Sequence, residues 1–78
     1  MDIFQRLVKV FDVVFEGSVD TTALSPQSTL REDCGINSIG MLYMAIAVEQ
    51  EFGIKFQNQD FNTIHTVADV IACIESKI

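Results

Sequence analysis

Ser38 is the residue whose type and setting best suit chemistry in this chain. It lies in Gly35-Ile36-Asn37-Ser38-Ile39-Gly40, where a small polar pair separates a turn-rich stretch from a long apolar run. Asn37 suits the cap of a helix reaching about Phe52, because its side-chain oxygen can accept from first-turn N–H groups. Ser38 then falls in the first turn with its hydroxyl toward solvent. The positive end of the helix dipole there favours an anionic group such as a phosphate. An ordinary helix start has the same composition, so these residues alone leave the two readings open. A hydrolytic serine fits poorly. A Gly-x-Ser-x-Gly turn is not formed, since the first glycine is Gly35, one residue too far, and His65 is the only histidine. Cys34 and Cys73 are too few for a secreted disulfide framework and sit in apolar patterns, as reduced packing residues do. With one histidine beside them, no metal site is expected.

The elements that must position Ser38 follow from the apolar pattern. From Asp2 to about Glu16, Phe4, Leu7, Val8, Phe11, Val14 and Phe15 recur at helical steps, with Ile3, Val10 and Val13 widening the stripe and Gly17 placed to end it. Residues from Gly17 to Ile36 are rich in turn-formers and include Pro26, the only proline; they read as a long loop. So long a loop needs anchors, for which Leu24, Leu30, Cys34 and Ile36 are the candidates. A short helical turn near Asp20 to Ala23 or Leu30 to Cys34 is compatible with it. Beyond Gly53, Ile54-Lys55-Phe56 returns to the core and Gln59 to Ile64 allows at most a short helix. Thr66-Val67-Ala68-Asp69 then opens the last helix with a capping-box spacing, and Val67, Val70, Ile71 and Ile74 form its buried stripe, with Cys73 or Ile78 at the margin. The expected fold is all-α: a small four-helix bundle of three main helices and one short one, with a long loop between the first two. Residues 1–78 are expected to form a single domain.

Around the axis of the Ser38 helix, at about 100° per residue, two apolar stripes appear. Met41, Met44, Ala45, Val48 and Phe52 share one continuous face. Ile39, Leu42 and Ile46 lie on the side of Ser38 and Glu49, flanked by Tyr43. In so small a bundle the second stripe is either another core contact or an exposed surface for a partner.

Size and charge narrow the functions. A chain of 78 residues leaves little room for an enclosed active site, so catalysis in isolation is not expected. The net charge of −6 argues against nucleic acid and anionic lipid and toward a partner with a positive surface. No apolar run reaches the ~20 residues of a membrane span, and the N-terminus lacks secretory-signal features, so a cytoplasmic location is expected; a monomer is the expected state, although nothing in the residues themselves fixes it.

Asp33-Cys34-Gly35-Ile36-Asn37-Ser38-Ile39, followed by Val48-Glu49-Gln50-Glu51-Phe52-Gly53-Ile54 and then Ile64-His65-Thr66-Val67, resembles the acyl carrier protein family over nearly the whole chain. The resemblance implies that Ser38, flanked by Asn37 and Ile39, receives 4′-phosphopantetheine from coenzyme A through a phosphopantetheinyl transferase. It implies a carrier of thioester-bound acyl groups for acyl-loading, condensing and modifying enzymes of fatty-acid, polyketide or a related dedicated synthesis. Ile39, Leu42, Tyr43, Ile46 and Glu49 would meet these partners, and Met41, Met44, Val48, Phe56, Phe61 and Ile71 would line an apolar space for the acyl chain. Asn37 stands where the family usually has aspartate, and the second helix carries only Glu49 and Glu51. Partner recognition should therefore lean on apolar contacts, which points toward a dedicated pathway. A peptidyl or aminoacyl carrier of the same fold, or an unmodified interaction module, are the alternatives.

Overall fold

The computed structural model describes residues 2–17 and 19–78; Met1, and Ser18 inside the expected loop, lie outside the described residues. Three α-helices account for the main apolar stripes: α1 (Ile3–Val14), α2 (Ser38–Phe52) and α3 (Val67–Lys77). Two 3-10 helices, Thr21–Ala23 and Asn58–Asn62, lie between them. The second is the short helix of the expected bundle, and the first lies where a turn in the long loop was allowed. Among the described residues there is no strand, only an isolated antiparallel bridge between Thr29 and Thr66.

Asp2 starts α1 by accepting the Phe4 N–H at 3.0 Å. The helix ends at Val14, two residues short of expectation, because Glu16 and Gly17 turn to φ of 50° and 82°. Leu7, Val10 and Phe11 are buried, whereas Val13 is exposed. Val13 lies about 120° from Leu7 around the axis, too far to share its face. Phe15 follows the helix and meets Phe11 edge to face, with centroids 5.8 Å apart.

The long loop is held at both of its faces. Val19, Leu30 and Ile36 are buried in the core, and Leu24 and Cys34 pack against it; Val19 is an anchor that the pattern of neighbouring polar residues concealed. On the backbone side, Leu30 N–H donates to His65 O at 2.9 Å, while Val67 and Ala68 donate to Ser28 O and Pro26 O at 3.0 and 2.8 Å. These last two bonds satisfy donors that the first turn of α3 would otherwise leave unpaired. Side-chain caps complete that turn. Thr66 Oγ1 accepts from Asp69 N–H, and Asp69 Oδ2 accepts from Thr66 and His65 N–H at 3.1 and 3.0 Å. Val67, Val70 and Ile74 enter the core, Ile71 and Cys73 pack at its edge, and Ile78 is exposed.

Helices α1 and α2 run antiparallel. Near the start of α1, Arg6 reaches the end of α2: its Nε lies 2.9 Å from Glu51 Oε2, its Nη2 donates to Glu51 O at 2.7 Å, and its guanidinium sits 4.4 Å over the Phe52 ring. At the opposite end Phe15 closes on Gly40. A Cβ built on Gly40 would stand 3.5 Å from Phe15 Cε1, 3.2 Å from Asn37 Oδ1 and 2.9 Å from Ile36 Cγ2. The last distance is too short for real contact, and Ile36 is a buried β-branched residue with little freedom to yield.

Alanine normally favours a helix over glycine by about 1 kcal/mol. At this position overpacking, which costs about 1–3 kcal/mol in a filled core, should outweigh that gain. Gly40→Ala is therefore expected to lower the unfolding free energy by about 1 kcal/mol in urea titrations; an unchanged or raised value would show that the Gly40 junction is loosely packed.

Acid sensitivity follows from three aspartate caps, Asp20 exposed and Asp60 and Asp69 half-buried. Hydrogen bonding to Thr22 lowers the pKa of Asp20 below 3.8; the backbone N–H groups of Gln57 and His65 do the same for Asp60 and Asp69. A lowered folded pKa adds stability above the unfolded value and loses it as pH falls through the folded one. Asp69→Asn should accordingly be less stable than the natural chain at pH 6, with the difference shrinking below pH 3.8, as read from urea midpoints.

Candidate functional site

Asn37 adopts extended backbone angles and turns its Oδ1 onto the Gly40 N–H at 2.7 Å, so α2 begins at Ser38. The approach to this cap is equally defined: Ile36 N–H donates to Leu30 O at 2.9 Å, and Gly35 makes the preceding turn at φ 71°. Ser38 is exposed on the first turn, and no described residue engages its hydroxyl. A solvent-facing oxygen at a helix N-terminus is sterically open to group transfer, and the local dipole favours a phosphate once attached.

The two expected stripes of α2 separate cleanly. Met41, Met44, Ala45 and Val48 are buried, while Ile39, Leu42, Tyr43 and Ile46 are 61, 57, 61 and 53% exposed. The outer stripe is therefore not a second core contact. It begins one residue after Ser38 and follows the same side of the helix.

Glu49 lies beside that stripe but is half-buried, and its Oε2 accepts the Phe56 N–H at 2.7 Å. It ties α2 to the returning segment. The other charged residue of α2, Glu51, is the partner of Arg6.

Of the residues expected to line a space for a cargo, Met44 and Val48 are fully enclosed and Met41 nearly so. Phe56, Phe61 and Ile71 pack around the same core, the two rings tilted at 48° with centroids 6.0 Å apart. The six thus share one apolar cluster, filled by their own side chains. Met41 also borders a cleft of about 160 Å³ with Leu30, Ile64 and His65.

A recess of about 410 Å³ borders the residues on either side of Ser38 in the chain. Phe15, Val19, Ile36, Gly40 and Tyr43 line it together with Asn37 and Ile39. Ile36 and Gly40 belong to the stretch around Ser38, whereas Phe15 and Val19 were not expected beside it. Gly40, a glycine inside an otherwise unbroken helical pattern, was the available signal of a close approach.

Both cysteines are unpaired and half-buried. Desolvation pushes both thiols up, assisted by Asp33 at Cys34 and Asp60 at Cys73, which keeps them protonated at neutral pH. Low thiolate content makes them poor nucleophiles.

The model of the phosphopantetheine attachment site family matches residues 2–74. An acyl carrier protein of Helicobacter hepaticus (strain ATCC 51449 / 3B1) is 34% identical over 76 residues, which is 97% of each chain. A phosphopantetheine attachment domain within an acyl carrier protein implies covalently attached 4′-phosphopantetheine as the cofactor. A capped helix presenting an open serine, the match of the attachment-site model across nearly every residue and the full-length relative together place this chain in the acyl carrier protein family.

Proposed function

We propose that Ser38 is the residue that bears the 4′-phosphopantetheine, and that the whole chain works as one carrier domain. The observation that carries this reading is the exposed Ser38 hydroxyl directly after the Asn37 cap. In the transfer, Ser38 Oγ forms a bond to the phosphorus of the phosphopantetheine group of coenzyme A. The bond from that phosphorus to the adenosine 3′,5′-bisphosphate portion breaks, and the hydroxyl proton passes to a base of the transferase.

The attached arm supplies a thiol that holds an acyl group as a thioester. The chain's own contribution is to present and tether. Tethering raises the local concentration of the cargo at each partner, so weak and brief docking suffices. Asn37 and Ile39 flank the attachment oxygen. Ile39, Leu42, Tyr43 and Ile46, with Glu49 at the margin, form the face that acyl-loading, condensing and modifying enzymes contact. Met41, Met44, Val48, Phe56, Phe61 and Ile71 provide the apolar cluster into which an acyl chain would insert, with the unbranched methionines repacking to admit it.

The sparse charge of α2 and Asn37 in place of aspartate favour a dedicated biosynthetic pathway over general fatty-acid synthesis. The working state is a cytoplasmic monomer.

Incubation with coenzyme A and a broad-specificity phosphopantetheinyl transferase should add one phosphopantetheine group to the chain by intact mass. Ser38→Ala should abolish the addition and leave the helical circular dichroism spectrum and urea midpoint nearly unchanged, because an exposed first-turn serine contributes little to packing. Addition to the Ser38→Ala chain would move the attachment point elsewhere. Failure of the natural chain to accept the group, with the transferase active on a control carrier, would leave the unmodified interaction module as the better reading.

A further inference from the structure

Resting on Ser38 as the attachment point, we propose that the 4′-phosphopantetheine arm, when its thiol carries no acyl group, lies along a furrow between α1 and α2 and not among the core residues Met41, Met44 and Ile71. Two depressions form this furrow. One is the recess of about 410 Å³ at the start of α2, whose lining includes Asn37 and Ile39, the chain neighbours of Ser38. The other is a groove of about 320 Å³ between Val10, Val13 and Val14 of α1 and Ala47 and Gln50 of α2. Each has the size of a small-molecule site, ~300–1,000 Å³.

The two depressions lie end to end. Phe15 of the recess follows Val14 of the groove, and Tyr43 of the recess stands one helical turn before Ala47 of the groove. Tyr43, Ala47 and Gln50 fall within about 60° of one another around the α2 axis, so both depressions open on the same flank of the helix pair. The arm has the reach to follow them. From the Ser38 oxygen to the sulfur it has about as many bonds as five extended residues, or ~17 Å. Ala47 stands ~14 Å from Ser38 along the helix axis, which brings the thiol to the groove.

The chemistry of the two possible resting places decides between them. The arm combines paired methyl groups and methylenes with a phosphodiester, a hydroxyl and two amides. Among the described residues the core buries no polar side chain, so insertion there would strip both amides of water without supplying partners. The furrow offers apolar walls in Phe15, Ile39, Ala47 and Val13, the last of them 75% exposed, while its open side leaves water in reach. It also offers donors. Asn37 Oδ1 is taken by the Gly40 N–H, which leaves Nδ2 beside the attachment oxygen; Nδ2, Tyr43 Oη and the Gln50 amide engage no described residue. An aspartate at position 37 would present only acceptor oxygens to the phosphodiester, whereas asparagine presents a donor. Because the tether already holds the arm at high local concentration, these modest contacts suffice.

The test uses the uniformly isotope-labelled chain modified from unlabelled coenzyme A, with intact mass and peptide mapping to locate the added group. Isotope-filtered nuclear Overhauser spectra of the reduced, unacylated form then report which protein protons the arm touches. Cross-peaks are expected from the paired methyls of the arm to the Phe15 and Tyr43 rings, and from its terminal methylenes to the methyls of Val13, Val14 or Ala47. Asn37→Asp caps a helix as well as asparagine but removes the amide donor. It should weaken the paired-methyl cross-peaks by about half or more. Cross-peaks to Met41, Met44 or Ile71 in their place, or none beyond Ile39, overturn the proposal, as do undiminished cross-peaks in the Asn37→Asp chain. Absence of the group from Ser38 would instead overturn the attachment point, so the two failures are distinguishable.

Discussion

The close approach at Gly40 is the constraint on which the arrangement around Ser38 depends. Phe15 at the end of α1 and Ile36 at the end of the loop both press against the α2 backbone where glycine leaves no Cβ. Because Gly40 N–H is also the donor that Asn37 caps, the same residue sets how closely the helices pack and where α2 begins. A larger residue would displace Ile36 or Asn37, the two residues leading directly to Ser38. At the far end of the pair, Arg6 joins Glu51 and lies over Phe52, so the antiparallel contact is pinned at both extremities.

A chain this short cannot leave a loop of nearly twenty residues to its own conformational entropy. It holds the segment by burying Val19, Leu30 and Ile36 and by using its carbonyls as caps for α3. The loop thus works as a structural layer across one end of the helices. The carboxylates are similarly occupied: Asp2, Asp20, Asp60 and Asp69 each close a helical or 3-10 start, and Glu49 and Glu51 tie α2 to its neighbours. Among the described residues no buried side-chain polar atom lacks a partner, which suits a small core that cannot absorb many desolvation costs.

Much of this was legible from residue types. Asn37 as a cap, Gly53 as a left-handed stop and Thr66 with Asp69 as a capping box are local events, decided by side chains within a few positions of the groups they bond. The helical stripes were readable for the same reason, since the 3.6-residue period is a property of the segment itself. Val13 shows the limit. It fits a broadened stripe by composition, but its exposure depends on how α1 lies against the rest of the molecule.

The sequence by itself determined the three helices, their caps and the presence of a serine at the start of the second, because each rests on short-range periodicity or on a hydrogen bond spanning a few residues. Tertiary structure alone decided which of α2's two apolar stripes faces solvent, for periodicity specifies a face without naming what lies opposite it. It also decided the meaning of the charges. Glu49 and Glu51 read as surface acids until Phe56 and Arg6 are brought beside them, seven and 45 positions away in the chain. The recess at Ser38 is of the same kind. Its walls come from Phe15, which follows α1, from the loop and from α2, and no stretch of sequence contains it.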